Sequence, residues 1–379
     1  MPAETILTNA QIVTPEAIVE GHLVLRDGKI AEVAEGPSRS GEDMGGDMII
    51  PGLVELHTDH IEGHYHPRPR VIWNRMAAIQ AHDAQIAASG ITTVFDALRV
   101  GTDENRIASS DDIAAMGRAI GQAVDEDRVR ADHFIHLRCE VSAADVIEGF
   151  EKVVDNPRLK LASLMDHAPG QRQFADLGAY RAYYQKKDGL TDAEFDAFCE
   201  RRIAESERYA PEGRRMIAAA CRERGIALAS HDDANAEHVA ESVALGVDVA
   251  EFPTTIEAAE ASRAAGLHVL MGAPNIVRGG SHSGNVSALE LMRHGVLDIL
   301  SSDYVPFSML QAAFQLWDAG ETQLPAAIRL VTEAPAEAVG LTDRGAILAG
   351  RRADLVRVRV HKGEPPVVRS VWREGRRVV

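Results

Sequence analysis

"IIPGLVELHTD", residues 49–59, carries an almost unbroken apolar run straight into His57 and Asp59. A strand without polar alternation is one buried on both faces, as in a parallel sheet covered by helices. Seven further runs of this kind follow: "ITTVFDA", "FIHLRCEV", "LKLASLM", "IALAS", "VDVAEF", "LHVLMG" and "LDILSS". Between them lie amphipathic stretches such as "DDIAAMGRAIGQAVDED" and "NAEHVAESVALG", which read as the covering helices. Eight such units predict an α/β fold, a (β/α)8 TIM-type barrel over residues 50–344. An open dinucleotide-binding sheet has little support, because no G-x-G-x-x-G follows the first strand.

Outward from the barrel, both chain ends have a different grammar. "TILTNAQIV" and "GHLVLRDGKIAEVAEG" near the start, with "ADLVRVRV" and "SVWREGRRVV" near the end, are short β-like runs punctuated by turns. They predict a small, discontinuous β-sandwich domain made of residues 1–49 and 345–379.

Composition narrows the function classes. With 57 Asp+Glu against 40 Lys+Arg, the chain of 379 residues has a formal charge of -17, which argues against nucleic acid or an anionic membrane as partner. Any anionic substrate must be held by local cations. Cys139, Cys199 and Cys221 form no CxxC pair, so neither a disulfide framework nor a thiolate zinc site is expected. No secretory pattern opens the sequence and no apolar run approaches the roughly 20 residues of a membrane span, so a cytoplasmic location is expected. The oligomeric state is left open, a homo-oligomer included.

In a barrel of this kind the active site gathers at the C-terminal strand ends. Those ends hold His57 and Asp59, Glu140, Asp166 and His167, His231 with Asp232 and Asp233, Glu251 and Asp303. One such residue alone is more often a cap or a solvated side chain, but six strand ends converging on imidazoles and carboxylates point to a metal centre. His57 and Asp59, two apart on an extended strand, share a face and can grip one cation. Imidazole and carboxylate without thiolate suit one or two divalent ions, Zn²⁺ first, with Mn²⁺ or Fe²⁺ as alternatives. Such ions make water a nucleophile near neutral pH, and Asp303 is the expected proton shuttle. His60, His64 and His66 read as loop histidines or substrate contacts. His82 and Asp83 read as helix packing or capping, and Trp73 and Phe174 as core.

"IIPGLVELHTD", "ASHDD" and "LSSDY", with flanking β-rich ends, resemble the amidohydrolase superfamily across nearly the whole chain. "PRPRVIW", "HLRCE", "SLMDHAPGQRQF", "AEFPTT" and "MGAPNIVRGGSHSGN" are similar, more narrowly, to the PhnM family of the carbon–phosphorus lyase pathway. That resemblance implies metal-dependent hydrolysis of α-D-ribose 1-methylphosphonate 5-triphosphate to the 5-phosphate and pyrophosphate. Three positions depart from the usual superfamily pattern. Asp59 stands for the second histidine of His-x-His and Glu251 for a histidine on strand six. Lys160 starts strand four instead of ending it, which makes Glu140 the preferred bridging ligand.

An anionic sugar triphosphate bearing a phosphonate needs cations, and the loops offer Arg68, Arg70, Arg138, Arg172 and Arg278, whose guanidinium groups can bind phosphate in pairs of hydrogen bonds. The glycine-rich "NIVRGGSHSGN" could wrap phosphate oxygens with backbone N–H groups, aided by Ser281 and His282. The alternative is an amidohydrolase acting on a small or cyclic amide, as a deacetylase or dihydroorotase does. That pocket would need one cation and more apolar lining. A non-catalytic scaffold would have eroded ligands, contrary to the rich set here.

Overall fold

The computed structural model of the protein describes residues 4–101, 109–172, 181, 191–281 and 284–379. Five strands come first: β1 (Glu4–Val13), β2 (Ile18–Arg26), β3 (Lys29–Glu35), β4 (Glu42–Asp43) and β5 (Met48–Pro51). Eight then alternate with helices: β6 (Leu53–Thr58), β7 (Ile91–Val100), β8 (Asp132–Glu140), β9 (Leu159–Met165), β10 (Ala227–His231), β11 (Val249–Glu251), β12 (His268–Gly272) and β13 (Ile299–Ser301). The last three are β14 (Leu355–Arg359), β15 (Val367–Arg373) and β16 (Arg376–Arg377).

Strands β6 to β13 pair in sequence order, each parallel to the next, so all eight expected strands form one sheet. The sheet closes on itself where β13 returns to β6. There Asp59 donates its N–H to the Asp303 carbonyl (2.9 Å) and Asp303 donates to the His57 carbonyl (3.0 Å). A buried cluster of Leu56, Phe95, Phe134, Leu161, Ala229, Val249, Leu270 and Ile299 draws one residue from each strand, which can meet only in the lumen of a closed barrel. Alternate residues turn outward: Leu98, Val100, Leu137 and Cys139 pack with Ile120, Ile217 and Cys221 of the helical layer. Cys139 thus points away from the barrel mouth, as alternation predicts.

Two helices near the mouth matter below. The first, α1 (His60–Tyr65), follows β6 directly, and α2 (Arg75–Ala88) begins at the Asn74 cap. A far longer helix, Asp192–Arg224, starts with a capping box between Thr191 and Glu194 and stops at Gly225, whose φ of 63° is left-handed. No helix among the described residues is long and apolar enough to cross a membrane.

The chain ends come together in a small β-domain of their own, as expected, built as one curled sheet. Its order is β16-β15-β14-β5-β1-β2-β3, with β4 beside β1, and the pairing is mixed because β1 runs parallel to β4 and β5. The sheet curls until its far edges meet: Lys29 bridges Arg352, and Ile30, Leu355 and Trp372 share one core cluster. Met48–Pro51 is paired with β14 throughout, so this sheet reaches past residue 49 and the barrel starts at Leu53.

Candidate metal centre at the barrel mouth

Three residues just past barrel strands, Asp232 (φ 60°), Phe252 (54°) and Asp303 (55°), occupy the left-handed region that residues other than glycine enter rarely. Such strain gathers where side chains must be aimed. Here it follows β10, β11 and β13 at the same end of the barrel.

Two groups of ligand atoms assemble there, each with its members within 4.8 Å of one another: His57, Asp59 and Asp303, and His167, His231 and Asp232. They adjoin, since the His57 and His231 ring centroids are 5.9 Å apart and Phe252 packs edge-on against both rings. Each imidazole is oriented from behind. His57 Nδ1 donates to Glu251 (3.1 Å), His167 Nδ1 to Glu140 (2.6 Å) and His231 Nδ1 to Asp232 (2.7 Å), which leaves Nε2 of each as the ligating nitrogen. His231 Nε2 is buried without a hydrogen-bond partner. An unprotonated nitrogen kept for a cation would be left this way, so the donor set fits divalent metal.

Buried carboxylates beneath the mouth support this arrangement. Burial alone would raise the Glu251 carboxyl, but His136 and His57 beside it hold it down to about 2, so it stays ionised. Burial keeps His136 neutral, at about 3, and its ring donates to the Leu56 carbonyl while accepting from Ser163. Glu55 is completely buried, which pushes it up to about 7, and it accepts from Ser301, Ser302 and the His57 N–H, tying β6 to β13 under the first group. Burial likewise raises Asp303 above the ordinary carboxylate value.

Several expected residues are placed otherwise. Glu140 joins neither ligand group. Its oxygens accept from Arg99 (2.8 Å), Ser142 and the backbone N–H and Nδ1 of His167, so it orients His167 where a bridging ligand was expected. Asp166 is taken by Arg214 and Ser206, and Asp233 by Arg172 and Ser230. Arg172, expected on phosphate, is 3% exposed and bound to Asp233 and Glu241; burial lowers its pKa to about 10. Arg138 does face the mouth, but its guanidinium lies on both oxygens of Asp59 at 2.6 Å. Arg68, Arg70 and Arg278 are exposed and Ser281 is half-buried. His282 and Phe174 lie outside the described residues. Trp73 is 57% exposed on the segment between α1 and α2, and so not in the core.

Glu55, Arg99 and His136 were missed, although strand alternation could have found them. Glu55 shares the face of His57, Arg99 that of Phe95, and His136 that of Phe134 and Glu140.

A barrel with candidate ligands gathered at its mouth suits a metal-dependent hydrolase, and residues 74–379 match the family described as "Amidohydrolase family"; the chain belongs to it. Over 378 residues it is 49% identical to α-D-ribose 1-methylphosphonate 5-triphosphate diphosphatase of Escherichia coli (strain K12), covering 98% of this chain and 100% of that one. An imidazolonepropionase of Methylobacterium nodulans is more distant, 26% identical with 89% and 87% covered. Among solved structures, N-acetyl-D-glucosamine-6-phosphate deacetylase from Mycobacterium smegmatis superimposes with a TM-score of 0.64 at 16% identity, covering 100% of both chains, a likeness of fold.

Proposed function

We propose that the protein hydrolyses α-D-ribose 1-methylphosphonate 5-triphosphate to the 5-phosphate and pyrophosphate, within phosphonate catabolism in the cytoplasm. The observation that carries this reading is the 49% identity along essentially the whole chain to the diphosphatase. The catalytic unit is the barrel that begins at Leu53, and the sheet of both chain ends, which takes in Met48–Pro51, is a second domain.

Divalent ions, Zn²⁺ first, would be held by His57, Asp59 and Asp303 and by His167 and His231 with Asp232. When bound, they supply Lewis acidity toward a phosphoryl oxygen and bring water close to ionisation at neutral pH. The chain's own residues do the rest. Glu251 and Glu140 fix the tautomers of His57 and His167. Asp303, raised by burial, takes the proton of the attacking water at its carboxylate, since a base nearer neutrality exchanges protons more readily. Arg68, Arg70 and Arg278, with Ser281 and His282 of the glycine-rich loop, receive the phosphates. The water oxygen bonds to the α-phosphorus as the bond from that phosphorus to the bridging oxygen breaks, and pyrophosphate leaves with the electron pair on that oxygen.

His57→Ala should lower bound metal and abolish turnover of the triphosphate, because it removes a ligand. Asp303→Asn should cut turnover by roughly 10²-fold or more while keeping more of the metal. Turnover unchanged in both variants, measured as pyrophosphate release with metal content read in parallel, would remove this centre from the reaction.

A further inference from the structure

Beside the proposed catalytic groups lies a second convergence of imidazoles, from His60 and His64 on α1 and His82 on α2, with one nitrogen of each within 4.8 Å of the others. We infer that these three histidines form a separate binding site for a divalent cation of the Zn²⁺ class.

Hydrogen bonding decides which nitrogens are available. The Asp96 carboxylate accepts from His133 Nδ1 at 2.7 Å and from His82 Nε2 at 2.8 Å. His82 Nδ1 is therefore the lone-pair nitrogen, and it faces His60 Nδ1 at 3.5 Å. Two ligands about 2.0–2.1 Å from one tetrahedral ion stand roughly 3.3–3.4 Å apart, close to this spacing. On the third histidine, Nε2 is buried without a partner. His82 thus has a carboxylate acceptor behind it, the arrangement that fixes a ligating histidine.

Purely imidazole ligation suits Zn²⁺ over Mg²⁺ or Ca²⁺, which take oxygen donors. An ion here would tie α1 to α2 and, through Asp96, to β7. It would steady the segment after α1 that carries Arg68 and Arg70. His82 is completely buried and His60 and His64 half-buried, so the cation can enter from the α1 side.

The test uses the full-length protein loaded with Zn²⁺ and freed of excess metal by dialysis. Crystals measured above and below the zinc absorption edge should show anomalous density among the three rings, within roughly 2.0–2.1 Å of their nitrogens. His64→Gln should lose that density and about one equivalent of zinc per chain, with an unchanged circular dichroism spectrum and the density at His57 and His231 retained. Absence of anomalous density among the three rings of the wild type, or wild-type zinc content in His64→Gln, overturns the inference. Density at the three histidines with none at His57 or His231 would sustain it while overturning the catalytic centre proposed above.

Discussion

Arg172 and Arg278 look alike in the sequence, as loop arginines after barrel strands, but their surroundings separate them. Arg172 is buried on Asp233 and Glu241, whereas Arg278 is exposed at the end of the helix Ala273–Arg278. Arg172→Ala should therefore act on stability, at about 3–5 kcal/mol, since it strands a buried carboxylate. Arg278→Ala should leave the unfolding midpoint unchanged and lower kcat/KM for the triphosphate by roughly 10–100-fold. Urea titration and steady-state kinetics on both variants check the contrast. His133 offers a test by pH. Burial would lower its pKa, but Asp96 and Asp83 raise it to about 10 from an ordinary 6.5. A raised folded-state pKa contributes stability that is complete below about 6.5 and is lost as pH rises through about 10. The urea midpoint should fall over that window, and His133→Asn should be less stable at pH 6 with a flatter decline; equal slopes would contradict a charged His133 held between Asp96 and Asp83. The imidazoles and carboxylates that gather at the mouth were legible from strand ends, because they are written in residue identity. Which carboxylates were already committed was not legible, because Arg99, Arg172 and Arg214 reach them from distant segments.

At the scale of elements, the barrel could be read almost completely: eight apolar runs became eight strands, since burial on both faces leaves a plain mark. The chain ends could be read as one small β-domain, but not their strand order, because short edge-forming strands carry no signal for which partner they choose. The hand-over between the two units is at Gly52. A Cβ built there would fall 2.1 Å from Thr92 Oγ1, inside the buried contact between β6 and β7. Gly52→Ala must push the first barrel strand away from the second, so it should cost about 1–3 kcal/mol. It should also displace His57, five residues along. Denaturant unfolding with a zinc-affinity titration checks both effects; wild-type stability would mean that β6 can shift freely.

For the whole molecule, a formal charge of -17 surrounds a mouth that must accept a polyanion. On the proposed function, bound metal and the exposed arginines would overcome that field locally, so chelation should abolish turnover, and added salt should change KM more than kcat through screening. The same overall charge would suit a neutral amide equally well, and the fold is shared with amide-cleaving proteins, so neither discriminates. Product identity does. With purified, zinc-loaded protein and α-D-ribose 1-methylphosphonate 5-triphosphate, ³¹P NMR should show pyrophosphate appearing together with the 5-phosphate, the phosphonate resonance persisting and no inorganic phosphate released first. Stepwise release of inorganic phosphate, or an intact triphosphate beside rapid hydrolysis of a small amide, would contradict the account.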